Sequence, residues 1–126
     1  MAKKSAISGE YIITVEDNGS VRVCKIFDNV KGSLRECAEI KGFEYDPDWT
    51  TRQFGNKIVK EFGDGNLAEI GEYTITKRDS GSIETYRVYS NTIGALREIA
   101  GSIGFDYDPN WNTRHFGSKL VDELNK

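Results

Sequence analysis

DPDWTTRQFGNK at residues 46–57 returns as DPNWNTRHFGSK at residues 108–119. The match extends outward from both strings at the same spacing of 62 residues, with no insertion. Residues 9–64 align with 71–126, and 27 of the 56 aligned positions are identical. GEYIIT faces GEYTIT, LRECA faces LREIA, and GFEYDP faces GFDYDP. Self-similarity at a fixed period marks a repeated structural unit. The expected organisation is a tandem duplication, with a tail over residues 1–8, repeat 1 over 9–62, a linker over 63–70 and repeat 2 over 71–126. The 126 residues suit one ordinary domain or two very small ones. Units this small bury little surface alone, so the two repeats are expected to share one compact unit with approximate two-fold pseudosymmetry.

Each repeat can be parsed by its hydrophobic period. YIITVEDNGSVRVCKIF alternates on both sides of Asn18-Gly19, a strong short hairpin signal, and Ser80-Gly81 takes the same place in repeat 2. A two-residue turn sets Ile13 opposite Cys24 and Tyr11 opposite Ile26, and in repeat 2 Ile75 opposite Tyr86 and Tyr73 opposite Val88. That face is expected to form the core. Thr74, Thr76, Arg78, Thr85 and Arg87 are then expected on a wet face.

Asn29 and Asn91 are matched N-cap candidates for a first helix. Val30, Leu34, Cys37 and Ala38 define its buried face, as do Ile93, Leu96, Ile99, Ala100 and Ile103 in repeat 2. Gly42-Phe43 and Gly104-Phe105 mark its end, because glycine accepts the left-handed conformation and the aromatic folds back on the last turn. Phe43 and Tyr45 alternate, which admits a short strand before Asp46-Pro47. A second helix should begin between Asp48 and Thr51, with Thr50 and Gln53 at capping-box spacing and Asn112 as the matched cap. Its apolar face is Phe54, Ile58, Val59 and Phe62, or Phe116, Leu120, Val121 and Leu124. The fold class is therefore α+β, built from a ββαα unit with ββαβα as the alternative.

The repeated string carries the candidate binding residues. Trp49 and Trp111 serve first as core staples and second as stacking platforms for a base or a peptide side chain. Gly55 and Gly117 fall inside an amphipathic helix, where glycine costs roughly 1 kcal/mol against alanine. Their presence in both copies implies an approach too close for a methyl group, either within the chain, against the Trp or another helix, or against a partner. Arg52 and Arg114 lie near a helix start, where positive charge opposes the macrodipole, so pairing with Asp46 or Asp108 is the first expectation. With Lys57 and Lys119 they would otherwise suit an anion such as phosphate. Arg35-Glu36 and Arg97-Glu98 read as solvated helix charges.

Catalytic chemistry finds little support. The single histidine, His115, aligns with Gln53, and Cys24 and Cys37 align with Tyr86 and Ile99 at core positions. Paired carboxylates exist, Asp46 with Asp48 for instance, but Asp48 becomes Asn110 in repeat 2, and no general acid–base pair is indicated. No phosphate loop, dinucleotide fingerprint, zinc-protease motif or nucleophile elbow is present. No catalytic residue, metal ligand or cofactor is expected. The thiols read as small core residues of a reduced compartment.

Net charge is −3 and the sequence pI about 5.2, a balance that disfavours broad attraction to nucleic acid or anionic lipid. No apolar run approaches the roughly 18 residues of a membrane span, and MAKKSAISGE lacks the apolar region of a secretory signal. A cytoplasmic location is expected. The functional expectation is a small non-enzymatic binding module with a protein partner. Nucleic-acid binding through the twin Arg/Lys helix starts, aided by Lys25, Arg78 and Arg87, is the second reading. An acidic inhibitor or mimic is the third, and its mark would be one carboxylate-rich face. The counts of 12 acidic and 8 basic groups in residues 9–70 against 8 and 7 in 71–126 are too close to decide it.

Overall fold

The computed structural model describes residues 3–126. The fold is α+β, with six antiparallel strands and four helices. In order these are β1 (Lys4–Ser8), β2 (Tyr11–Val15), β3 (Val21–Ile26), α1 (Val30–Lys41), α2 (Thr51–Phe62), β4 (Leu67–Ile70), β5 (Tyr73–Lys77), β6 (Ile83–Val88), α3 (Thr92–Ile103) and α4 (Thr113–Leu124). Each of the four helices has 12 residues, and α3 and α4 start 62 residues after α1 and α2.

The helix signals act as the sequence implies. Asn29 and Asn91 accept from the amides of Gly32 and Gly94. Gly42 and Gly104 take left-handed φ of 64° and 69°, and Phe43 and Phe105 donate their amides back to Ala38 and Ala100. Thr50 and Gln53 complete a reciprocal capping box on α2, while Asn112 caps α4.

The strands depart from expectation in three ways. First, the segments read as tail and linker hold β1 and β4, so three strands rather than two precede each pair of helices. Gly9 and Gly71, with φ of 55° and 57°, open the two-residue turns that fold these strands onto β2 and β5. Phe43 and Tyr45 form no strand; their rings join the helix core instead.

Second, the hairpin register shifts by one residue. Ile12 faces Cys24 and Ile13 faces Val23, while Thr74 faces Tyr86 and Ile75 faces Thr85. The loop has three residues, closed by Gly19 N–H to Glu16 O and by Glu16 N–H to Ser20 O, with Gly19 at φ 89°. Gly81 repeats this geometry at φ 89°. A glycine in the third loop position is the bulged hairpin, and the added residue turns every later side chain to the other face.

Third, the face assigned to solvent is largely buried. Thr74, Thr76 and Thr85 are at most 3% exposed, and every residue of β2 is buried. Thr85 is satisfied locally: its hydroxyl donates to Phe27 O, and its carbonyl accepts from Phe27 N.

The chain divides into two compact units whose membership cuts across the 62-residue period. Among the described residues, unit 1 comprises 3–25 and 88–126, and unit 2 comprises 26–87. In unit 1 the first repeat's strands pack with the second repeat's helices: Tyr11, Ile13, Val15 and Val23 share a core with Leu96, Ile99, Phe116, Leu120 and Val121. In unit 2 the pairing is reversed, with Ala68, Ile70, Tyr73 and Ile75 against Leu34, Cys37, Phe54, Ile58 and Val59. The bonds to Thr85 show how this arises. They hold Phe27, just past β3, inside unit 2, so α1 begins there. Val23 O accepts from Tyr89 N in the same way and delivers α3 to unit 1.

Candidate binding surface

The turn ahead of α2 is made by Asp46, whose carbonyl accepts from Trp49 N at 3.0 Å and whose carboxylate accepts from Asp48 N. Asp108 does the same for Trp111 and Asn110. Both aspartates are thus turn residues, and the turn delivers a tryptophan to the helix flank. Trp49 is half-buried, with ring centroids 6.4 Å from Phe43 and 6.0 Å from Phe54. Trp111 packs likewise on Phe105 and Phe116. Tyr45 stacks on Phe54 at 4.7 Å and Tyr107 on Phe116 at 4.5 Å. The tryptophans are partly buried staples packed against the two cores.

Gly55 and Gly117 are buried beneath their helices. A methyl carbon on Gly55 would stand 2.5 Å from Ile83 Cγ1, and one on Gly117 2.5 Å from Val21 Cγ2. The close approach is therefore internal, and it is made to the first residue of a strand rather than to the Trp or another helix. Arg114 extends to the β2–β3 turn, where Nη1 donates to Asn18 O at 3.0 Å. Arg52 extends to the matching turn at Gly81.

Lys57 and Lys119 are exposed. The Lys57 ammonium lies 5.2 Å from the Trp49 ring centroid, within cation–π range. In unit 1 the neighbour of Trp111 is His115, edge-on at 4.8 Å. Of the eight candidate residues, Trp49 and Lys57 are thus brought together on one surface, while Gly55 lies beneath it and Arg52 points to a turn.

Two open clefts flank Lys57 along α2. One, of about 360 Å³, is lined by Phe43, Glu44, Trp49, Lys57, Lys60 and Glu61. The other, of about 470 Å³, is lined by Asn56, Lys57, Lys60, Gly65 and Lys77. Lys60 was not among the residues expected from sequence, although its place three after Lys57 puts both on one helix face.

The repeated Glu36 and Glu98, expected to be solvated, accept from the phenols of Tyr73 and Tyr11. The Glu36 hydrogen bond, with burial, pushes the Tyr73 phenol up to about 12, and Glu98 raises Tyr11 further. Lys25 lies over the Tyr11 and Tyr89 rings, and Arg87 over Phe27 and Tyr73 while it pairs with Glu72. Arg78 is bound to Glu84 and Tyr86. The three hairpin cations expected to aid nucleic-acid binding are therefore engaged within their own units.

Cys24 and Cys37 are buried thiols; Cys24 Sγ accepts from Arg22 Nε at 3.4 Å, and desolvation pushes Cys37 up to about 12. Among the described residues, no group of three or more His, Cys, Asp or Glu side chains could hold a metal ion. Among the described residues, no helix is long and apolar enough to cross a membrane. Comparison with known protein families, curated proteins and solved structures found no match.

Proposed function

We propose that this chain is a small non-enzymatic binding module, descended from a duplicated βββαα unit, whose partner is a protein engaged along α2 of unit 2. The observation that carries the reading is the cleft beside Trp49. It joins two half-buried aromatics, Phe43 and Trp49, to Lys57, Lys60, Glu44 and Glu61. A tryptophan edge supplies apolar contact at low entropic cost, and charges of both signs around it match the polar rim of a protein interface. A polyphosphate backbone crossing the same cleft would meet Glu44 and Glu61. The engagement of Lys25, Arg78 and Arg87 further weakens the nucleic-acid alternative.

The test is affinity capture followed by direct titration of the captured protein, with wild type beside Trp49→Ala/Lys57→Glu. Loss of binding by about tenfold or more in the variant is expected, the usual cost of truncating an interface anchor. Undiminished binding would remove the surface from consideration. A parallel titration with DNA and RNA at low and moderate salt covers the alternative. Salt-sensitive binding that Arg52→Ala/Arg114→Ala abolishes would replace the protein reading with the nucleic-acid one.

A further inference from the structure

We propose that the cleft lined by Asn56, Lys57, Lys60, Gly65 and Lys77 is a binding site for a small multivalent oxyanion of the phosphate class. Three ammonium-bearing side chains from α2 and the end of β5 line this one cleft, and no carboxylate lines it with them. Lys57 and Lys60 also line the neighbouring cleft with Glu44 and Glu61, so what sets this one apart is the third lysine, Lys77, and a lining without a carboxylate. Gly65, at φ 95°, adds no side chain, and a methyl carbon built on it would meet nothing within 4 Å. The acid adjacent in sequence, Asp64, is committed elsewhere: its carboxylate accepts from the amides of Asn66 and Leu67 at 2.9 and 2.8 Å.

The corresponding place in unit 1 shows what the cleft lacks. There the 62-residue spacing puts Ser118 for Asn56, Asp122 for Lys60, Val15 for Lys77 and Lys4 for Asn66. Lys4 Nζ reaches Asp122 Oδ1 at 2.7 Å, Ser118 Oγ at 2.8 Å and Ser118 O at 3.3 Å. One copy of the location therefore contains its own carboxylate and ammonium in contact. The other carries Asn66 and Lys60 in place of that pair and has Lys77 where unit 1 has Val15. Its lining therefore holds three lysines and no carboxylate, and an external anion would supply the negative charge that unit 1 carries itself. Lysine binds phosphate as a compact point charge, without the bidentate geometry that an arginine fork would impose. A phosphate monoester carries about −1.5 to −2 charges near neutral pH, which suits three ammoniums better than a single carboxylate does.

The phosphate could be free or carried on a protein side chain, and the experiment separates the two. Lysine Nζ and backbone amide resonances are followed while inorganic phosphate, and separately a phosphoserine peptide, is added at constant low ionic strength. Lys57, Lys60, Lys77 and Gly65 are expected to shift together and saturate, with half-saturation at or below about 1 mM. Lys60→Asp/Lys77→Val, which installs the residues that unit 1 carries at these positions, is expected to weaken binding at least tenfold. Arg52→Ala should leave it unchanged. Peptide affinity about tenfold above that of phosphate assigns a protein-borne group, and equal affinity assigns free phosphate. Shifts spread without saturation over lysines of both units, or affinity indifferent to the double variant, would overturn the proposal. The phosphate titration needs no partner, so it succeeds or fails independently of the surface at Trp49.

Discussion

Gly55 and Gly117 are where a single hydrogen decides the packing. With a methyl carbon 2.5 Å from Ile83 or Val21, Gly55→Ala or Gly117→Ala must push helix and strand apart. Overpacking of this kind costs about 1–3 kcal/mol despite alanine's better helix propensity. Both variants should therefore unfold at lower temperature than wild type, and Ile83→Ala should restore part of the loss in Gly55→Ala, where Ile83→Ala alone only destabilises. Unchanged melting temperatures would show that the strand yields freely. A second residue-scale effect is tied to pH. Tyr73 moves from 10.0 to about 12, and Tyr11 is shifted in the same direction, so the folded state holds both phenolic protons more tightly than the unfolded chain. The stabilisation is complete below pH 10; the Tyr73 part is lost as pH rises through about 12, and the Tyr11 part persists to higher pH. Denaturation curves across that window should show stability falling, with a shallower fall in Tyr11→Phe/Tyr73→Phe; equal slopes would mean that these hydrogen bonds do not set the titration.

Among elements, the helices were legible and the sheet was only partly so. Helix ends are local grammar: Asn29, Gly42, Thr50 and Gln53 act within a few residues of where they stand. Thr50→Ala should cost about 1 kcal/mol by releasing the Gln53 amide, and Thr50→Asp should recover it, a comparison that urea denaturation resolves. Strand register depended on one loop residue, because Gly19 occupies the third position of a three-residue turn and the alternation alone does not count loop residues. β1 and β4 escaped notice because KSAIS and LAEI are short and mixed in character. The buried threonines had no local signal, since a polar residue in an alternating strand is read as solvent-facing. Candidate site residues divide along the same line. Trp49 and Lys57 are eight residues apart on one helix flank, a sequence-readable pair, while Lys77 reaches the lysine cleft from a strand of the other repeat.

For the whole molecule, the governing fact is that neither repeat owns a complete core. Residues 1–64 contain the strands of unit 1 and the helices of unit 2, so this fragment alone should lack cooperative unfolding as a monomer. Mixed with residues 65–126, it should regain the circular-dichroism spectrum and melting transition of the intact chain; a fragment that unfolds cooperatively as a monomer would show that a repeat is self-sufficient. This exchange also explains why the partners of Gly55 and Glu36 were unreadable from their own repeat, since Ile83 and Tyr73 lie in the other. The start and finish of the chain also share unit 1: Asn125 Nδ2 donates to Ser5 O at 3.0 Å, and Lys4 pairs with Asp122. Polypeptide order is thus nearly arbitrary for this molecule. A circular permutant, joined through a few glycines and reopened between Asp64 and Gly65, would keep the membership of both units, with what is now the second repeat translated first.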